Sequence, residues 1–441
     1  MTPSSEEKEI STLLHSFPSL RMEEDKQRDI ARHIRQEKEL LTRMKRRKAH
    51  RKVIGGIAAS FAFLFITYQL IPPSLSSSEP SVQRMNTEEN QKSNAAGTKE
   101  NKDAVLTIDR QIQSYVEEAL NKTDAAYHPE SMTIIVSDPN TGEILGMASR
   151  GKQASADSLA EVGRAIPDPV AAFRIVTLAA AVQEGKFNPR EVYDSGTYKD
   201  IPGNPINDHN NGIGWGKIPF LEGIQRSSNV VFAKLGVERL KKDLLQEYFE
   251  RFGFGQKTDI GLSYEEAGKI PTMDHPREVA LATIGQGGSA SAIQQVAAVG
   301  AVANGGKLLK PHMTKTAGVD ENHAYQIRQV ISEETAVQVR DILEEVVNSR
   351  VGSAKAFSME EYPVAGNSGL AQKYDQKGKI MDGKYMVSFI GFAPSDQPKL
   401  LVYVVVDDPK SDSSVGVWSR EIIAPPFKEV MEKSLKYLQQ R

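Results

Sequence analysis

Nineteen consecutive residues, Val53 to Ile71 (VIGGIAASFAFLFITYQLI), carry no charged side chain. That is close to the ~20 residues a helix needs to cross the hydrocarbon core of a bilayer. The ten residues before it, RMKRRKAHRK, contain seven Lys or Arg. By the positive-inside rule this flank keeps the N-terminus in the cytoplasm and sends everything after the span outside. The competing reading is a buried core helix, but core helices seldom lack a polar face and carry so basic a flank. A cleaved signal peptide fits poorly, because the run is long, starts late and lacks a clear small-residue cleavage site. The sequence therefore predicts a single-pass protein of the cell membrane. Residues 1–52 form a charged, helical cytoplasmic segment, 53–71 the span, 72–103 a linker and 104–441 an extracytoplasmic domain.

The cytoplasmic stretch MEEDKQRDIARHIRQEKELLTRMKRR has a narrow apolar stripe at Ile30, Ile34, Leu40 and Leu41. Such a stripe suits a solvated juxtamembrane helix or a docking element for a cytosolic partner. The linker is rich in Ser, Asn and Glu and nearly free of large apolar groups, so it cannot bury enough surface to fold. From Ala104 the pattern becomes globular. SMTIIVSDPNTGEILGMAS reads as two apolar strands joined by a turn at DPNTG. AAFRIVTLAAAVQEG reads as a helix ended by Gly185. Helices are also expected near 219–250 and 290–303, and MVSFIGFAP with KLLVYVVVDDP as a second strand pair. Strands at both ends with helices between predict an α+β domain.

Charge and composition exclude some functions. The formal net charge of −2 argues against a general nucleic-acid binder. No cysteine is present, so disulfides and thiolate metal sites are ruled out. The eight histidines are scattered without ligand spacing, and nothing in the sequence calls for a metal or cofactor.

Several separated strings, VSDPNTGEILGMAS, IGQGGSASAIQQVAAVGAVANGGKLLKPHM, YPVAGNSGLAQK and VSFIGFAPSDQPKLLVYVVVDDPK, resemble the transpeptidase domain of penicillin-binding proteins, class B-like, over roughly residues 104–437. FGFGQKTDIGL and GIQRSSNVVFAKLG fit the same order. The resemblance implies a penicillin-binding/β-lactamase-like transpeptidase fold, with a central antiparallel sheet flanked by helices plus an all-helical subdomain. It also implies work outside the membrane, where peptidoglycan is cross-linked. Larger members carry a further domain between anchor and transpeptidase, for which the linker here leaves no room.

The family's site uses S-x-x-K, S-x-N and K-T-G. In the first motif a serine attacks a carbonyl, helped by a lysine three residues on, on the same helix face. PVAAFRIVT resembles the family's P-G-S-T-F-K-I-V-T, placing Ala171 at the serine position and Arg174 at the lysine position. Alanine cannot form an acyl-enzyme, and an arginine that stays protonated cannot act as a base. A plain core helix explains Ile175, Val176, Leu178 and Ala171 equally well, but Arg174 on that face requires a carboxylate of this chain or a bound anion. The second motif is intact as Ser227, Ser228 and Asn229. The resemblance implies a proton-relaying serine and an asparagine that holds substrate backbone; alternatively, Ser227 or Ser228 caps a helix. In VAGNSGLAQK, resembling V-A-G-K-T-G-T-A-Q-K, Asn367 stands for the lysine, Ser368 for the threonine, Gly369 for the glycine and Leu370 for a polar residue. Asn367 can donate hydrogen bonds but brings no charge to a substrate carboxylate. Ser368 keeps a hydroxyl, Gly369 permits close approach, and the Leu370 amide can line an oxyanion hole.

Three readings follow. In the first, the outer domain is a pseudoenzyme of cell-wall metabolism that binds a peptidoglycan stem peptide or other cell-wall proteins without cutting. In the second, it is an active D,D-transpeptidase or carboxypeptidase whose nucleophile has moved to Ser227 or Ser228. In the third, it senses wall fragments or β-lactams reversibly.

Overall fold

The computed structural model describes residues 105–151, 160–315, 325–375 and 380–441. The cytoplasmic segment, the Val53–Ile71 span and the linker lie outside the described residues. Among the described residues no helix is long and apolar enough to cross a membrane.

The expected α+β architecture is observed. Helix α1 (Arg110–Tyr127) is capped by Asp109, whose carboxylate accepts from the amides of Gln111 and Ile112. It leads into strands β1 (Ser131–Ser137) and β2 (Ile144–Gly151), joined at DPNTG as the turn residues suggest. The helices α2 (Val170–Gln183), α3 (Asn229–Lys234), α4 (Ala292–Ala303) and α5 (Glu333–Asn348) follow. The chain closes with strands β3 (Ala365–Tyr374), β4 (Ile380–Ala393) and β5 (Leu400–Asp407) and helix α6 (Ala424–Gln439). The five strands form one sheet in the order β3-β4-β5-β1-β2, every pair antiparallel. The two strand pairs seen in the sequence, one near each end of the domain, therefore meet at β5 and β1.

Helices α1 and α6 cover one face of the sheet, and α2, α4 and α5 pack against the other. Because both faces are covered, the central strands read as unbroken apolar runs instead of alternating ones. All but the last residue of LLVYVVVD in β5 are buried. Phe389 of β4 packs against Phe357 at 3.6 Å and Phe427 at 4.6 Å on the α6 side. On the opposite side Phe173 of α2 stacks on Phe249 at 4.3 Å and meets Phe254 edge-on at 4.7 Å. Those two contacts tie α2 to the helical subdomain, each adding about 1 kcal/mol beyond area burial.

The helical stretch expected near 219–250 is broken, with a cap at Ser228 as the S-x-N reading allowed. It runs Phe220–Gln225, stops at Arg226–Ser228, resumes as α3 and passes through a π-helical turn, Leu235–Leu240, into Lys241–Arg251. The interruption is the S-x-N segment itself: Ser227 adopts a left-handed φ of 57°, which no helix can continue through.

Candidate functional site

Helix α2 begins where the sheet edge, the α3 start and the Ile284–Gly288 loop converge. Its head is set by backbone, not by a side-chain cap. Asp168, with a φ of 53°, receives the Gly287 amide on its carboxylate at 2.8 Å and donates its own amide to Gly288 O at 2.9 Å. Burial raises the Asp168 pKa, and the Gly287 hydrogen bond opposes that rise. Two glycines let neighbouring chain reach the head. A Cβ at Gly285 would stand 2.3 Å from Val170 Cα, and one at Gly369 would stand 3.1 Å from the Ala171 amide nitrogen and 2.6 Å from Ser388 Oγ. Neither site has room for a side chain.

Every residue from Val170 to Ala181 is buried. Ala171 is fully enclosed, so its methyl group is core. Arg174, one turn further, is 8 % exposed and lies across the gap to the S-x-N segment. Its Nε donates to Ile284 O at 3.2 Å, Nη1 to Ser227 O at 3.1 Å and to Ser227 Oγ, and Nη2 to Asn229 Oδ1 at 2.5 Å. The guanidinium also lies over the Phe232 ring at 5.2 Å. Of the partners the sequence allowed, a carboxylate of this chain is present, but Asp208 acts on the guanidinium without a direct hydrogen bond. Carbonyls and side-chain oxygens solvate the ion, and Asp208 balances it from behind. Burial pulls the Arg174 pKa down to about 10, and the Asp208 charge works against that fall. At neutral pH the guanidinium stays charged. It is a fixed cation and a donor, not a base.

The two adjacent serines have opposite environments. Ser228 is the helix cap: its Oγ accepts from the Val231 amide at 3.2 Å and from Tyr193 OH at 2.8 Å, and donates to Asp208 Oδ1 at 2.8 Å. Asp208 also accepts from the Val230 amide at 3.0 Å and, through Oδ2, from the Gly196 amide at 2.8 Å. Ser228 is completely buried and Asp208 is 2 % exposed. Burial pushes the Tyr193 hydroxyl well above its ordinary range, so it remains a donor. Ser227 is the serine that faces Arg174. Asn229, half-buried, also donates through Nδ2 to Asn207 O at 2.7 Å.

On the sheet side, β3 forms the edge strand. Asn367 is buried, with its Nδ2 directed to Ala171 O at 3.4 Å, so the amide bridges strand and helix head. Ser368 is half-buried, Gly369 buried, and Leu370 43 % exposed.

Most of the sequence-predicted positions gather around one helix head: Arg174 bonds Ser227 and Asn229, Asn367 and Gly369 meet Ala171, and Ser228 lies one layer behind, while Ser368 and Leu370 follow on the β3 edge. Val170, Tyr193, Asp208 and the Ile284 carbonyl belong to the same site and were not singled out from the sequence. His209, in the NDHNNG stretch, has its Nε2 3.0 Å from Arg226 O, away from Arg174. Among the described residues no group of acidic and histidine side chains is placed to hold a metal.

A family model described as penicillin binding protein transpeptidase domain matches residues 132–432. The chain is 39% identical over 360 residues to stage V sporulation protein D of Bacillus subtilis (strain 168), covering 77% of this chain and 54% of that protein. It is 30% identical over 353 residues to the probable peptidoglycan D,D-transpeptidase PenA of Neisseria meningitidis serogroup A, covering 77% and 58%. The chain thus spans little more than half the length of these curated relatives. Among solved structures, the apo TP domain of Burkholderia pseudomallei penicillin-binding protein 3 matches with a TM-score of 0.67 at 26% identity, covering 78% of this chain and 98% of that one.

Proposed function

The chain belongs to the penicillin-binding protein transpeptidase family, and from that premise we propose that it is a non-acylating member. In this reading it is held in the cell membrane by Val53–Ile71, with residues 1–52 in the cytoplasm and the domain from residue 104 on the outer side of the linker. The domain binds or scaffolds components of peptidoglycan metabolism without turning them over. The observation that carries the reading is the α2 head. A buried methyl group occupies the position where the family resemblance requires a nucleophile, and a guanidinium that is charged at neutral pH occupies the position of the base. The remaining groups can still bind. Ser368, Asn229 and the edge of β3 offer hydrogen bonds to an extended peptide, and the Ala171 and Leu370 amides flank Gly369.

The reading with a displaced nucleophile draws on one observation, the Ser228 hydroxyl hydrogen-bonded to the Asp208 carboxylate. A serine on a carboxylate resembles an activated nucleophile. Complete burial of Ser228 argues against it, and Ser227 has a cation, not a base, on its oxygen.

The experiment is to incubate the purified extracytoplasmic domain with a labelled penicillin and measure intact mass. No covalent adduct is expected. An adduct sinks the non-acylating reading, and peptide mapping of the label to Ser227 or Ser228 would establish the displaced-serine alternative. Reversible, saturable penicillin binding without an adduct would favour a sensor over a scaffold.

A further inference from the structure

Resting on that reading, we infer that the β3 edge beside the α2 head accepts a peptide carrying no carboxylate at the position facing Asn367, and that an apolar group takes the place beside Leu370. Charge gives the first part of the argument. The resemblance places a lysine where Asn367 stands, and Asn367 supplies no charge. Nor is its amide turned outward: the residue is 4 % exposed and its Nδ2 reaches the Ala171 carbonyl.

The nearby cations do not replace the missing one. Arg174 spends Nε on Ile284 O, Nη1 on both oxygens of Ser227 and one Nη2 bond on Asn229 Oδ1, with Asp208 behind. Four of its five N–H donors are taken, so one Nη2 hydrogen is all it can offer an anion unless Ser227 and Asn229 are displaced and their oxygens left unpaired. Lys373, further along β3, is held by Asp407 at 2.7 Å. A carboxylate brought to Asn367 would therefore lose its hydration without gaining an ion pair. That cost falls on charged ligands and spares neutral amides.

Shape and polarity give the second part. Val170 stands at the glycine position of the family run, and its Cβ lies 3.3 Å from the point a Cβ on Gly369 would occupy. Leu370 follows Gly369 on the same edge strand with 43 % of its surface exposed, where the resemblance places a polar residue. Of these two aliphatic side chains only Leu370 is exposed; Val170 is buried against Gly369. Ser368, half-buried, keeps a neutral hydroxyl between Asn367 and Gly369. Strand edge, hydroxyl and the Leu370 side chain together recognise the backbone and apolar side chains of a peptide, not its charged end.

The test uses two probes that differ only at that end, N-acetyl-D-alanyl-D-alanine and its C-terminal amide. Both are titrated into the purified domain by NMR or calorimetry. The amide is expected to bind at least as tightly as the free acid. Asn367→Lys should shift the acid-to-amide preference at least tenfold toward the acid, the order of one charge-assisted contact. The exposed Leu370→Thr substitution should weaken the amide about three- to tenfold with unchanged melting behaviour. A free acid bound tenfold more tightly than the amide by the unsubstituted domain would overturn the inference. Failure of both probes to bind at millimolar concentration would overturn it equally. A penicillin adduct in the mass experiment would sink the non-acylating reading instead, so the two failures are told apart.

Discussion

The two sides of the α2 head have fared differently. Behind it, Tyr193, Ser228 and Asp208 form a closed chain of donors and acceptors in which each buried polar atom is satisfied by the next. In front of it, in the reading proposed above, Ala171, Arg174 and Asn367 stand where the family resemblance puts nucleophile, base and charge. The contrast teaches how to read an intact S-x-N. Ser228 caps α3 and Asp208 holds the amides of Val230 and Gly196, so this region is required for folding whether or not anything is catalysed. Retention at the back therefore says little about activity.

The largest effect that could break this comparison is a gain of function. If only the front is changed, restoring it should restore chemistry. Ala171→Ser alone supplies an oxygen without a base. Adding Arg174→Lys supplies a group able to exchange a proton, and should raise the rate of penicillin labelling about 10²–10³-fold over the single variant. Stopped mass spectrometry measures both rates. Equal rates would mean that the back of the site is impaired too.

The next effect is on stability. Asp208→Ala would strand the Ser228 hydroxyl and the Val230 and Gly196 amides and remove the charge that balances Arg174. About 3–5 kcal/mol should be lost in urea unfolding. A loss below about 1 kcal/mol would show that the rear network is not needed for the fold. Tyr193→Phe removes a single hydrogen bond from the same chain and should cost about 1 kcal/mol.

How much of this could be read beforehand varies with the range of the interaction. The β1–β2 hairpin was visible because DPNTG and its flanking apolar runs are local. The end of α2 was visible because Gly185 stops a helical pattern, and its φ is 60°. The altered positions were visible because helix spacing alone ties Arg174 to Ala171. The partners of Arg174 were not. One is the carbonyl of Ile284, 110 residues away, and every residue has a carbonyl. Asp208 sits in NDHNNG, where an aspartate is ordinary turn chemistry. A cap at Ser227 or Ser228 was legible in the S-x-N string, but the left-handed turn at Ser227 was not, because LEGIQRSSNVVFAK keeps helical character on both sides of it.

The smallest effect concerns pH and isolates the one charge that spans front and back. Burial holds the folded pKa of Arg174 near 10, below the 12.5 of an unhindered guanidinium. The unfolded chain therefore binds more protons than the folded one between those values, and this group's contribution to stability rises with pH across the window. Below pH 10 both states are protonated and the folded state carries the full penalty of a buried ion. Arg174→Met removes that penalty along with four hydrogen bonds. The cost of the substitution should consequently be lower at pH 7 than at pH 10.5, where the neutral side chain keeps its contacts at less expense. The comparison must be a difference between variant and unsubstituted domain at each pH, because lysines and tyrosines elsewhere titrate in the same range and cancel only in that difference. A cost that is flat or falling from pH 7 to 10.5 would mean that Asp208 and the Ser227–Asn229 oxygens fully compensate the guanidinium. Front and back would then be one tightly coupled unit, not a preserved frame beside an altered face.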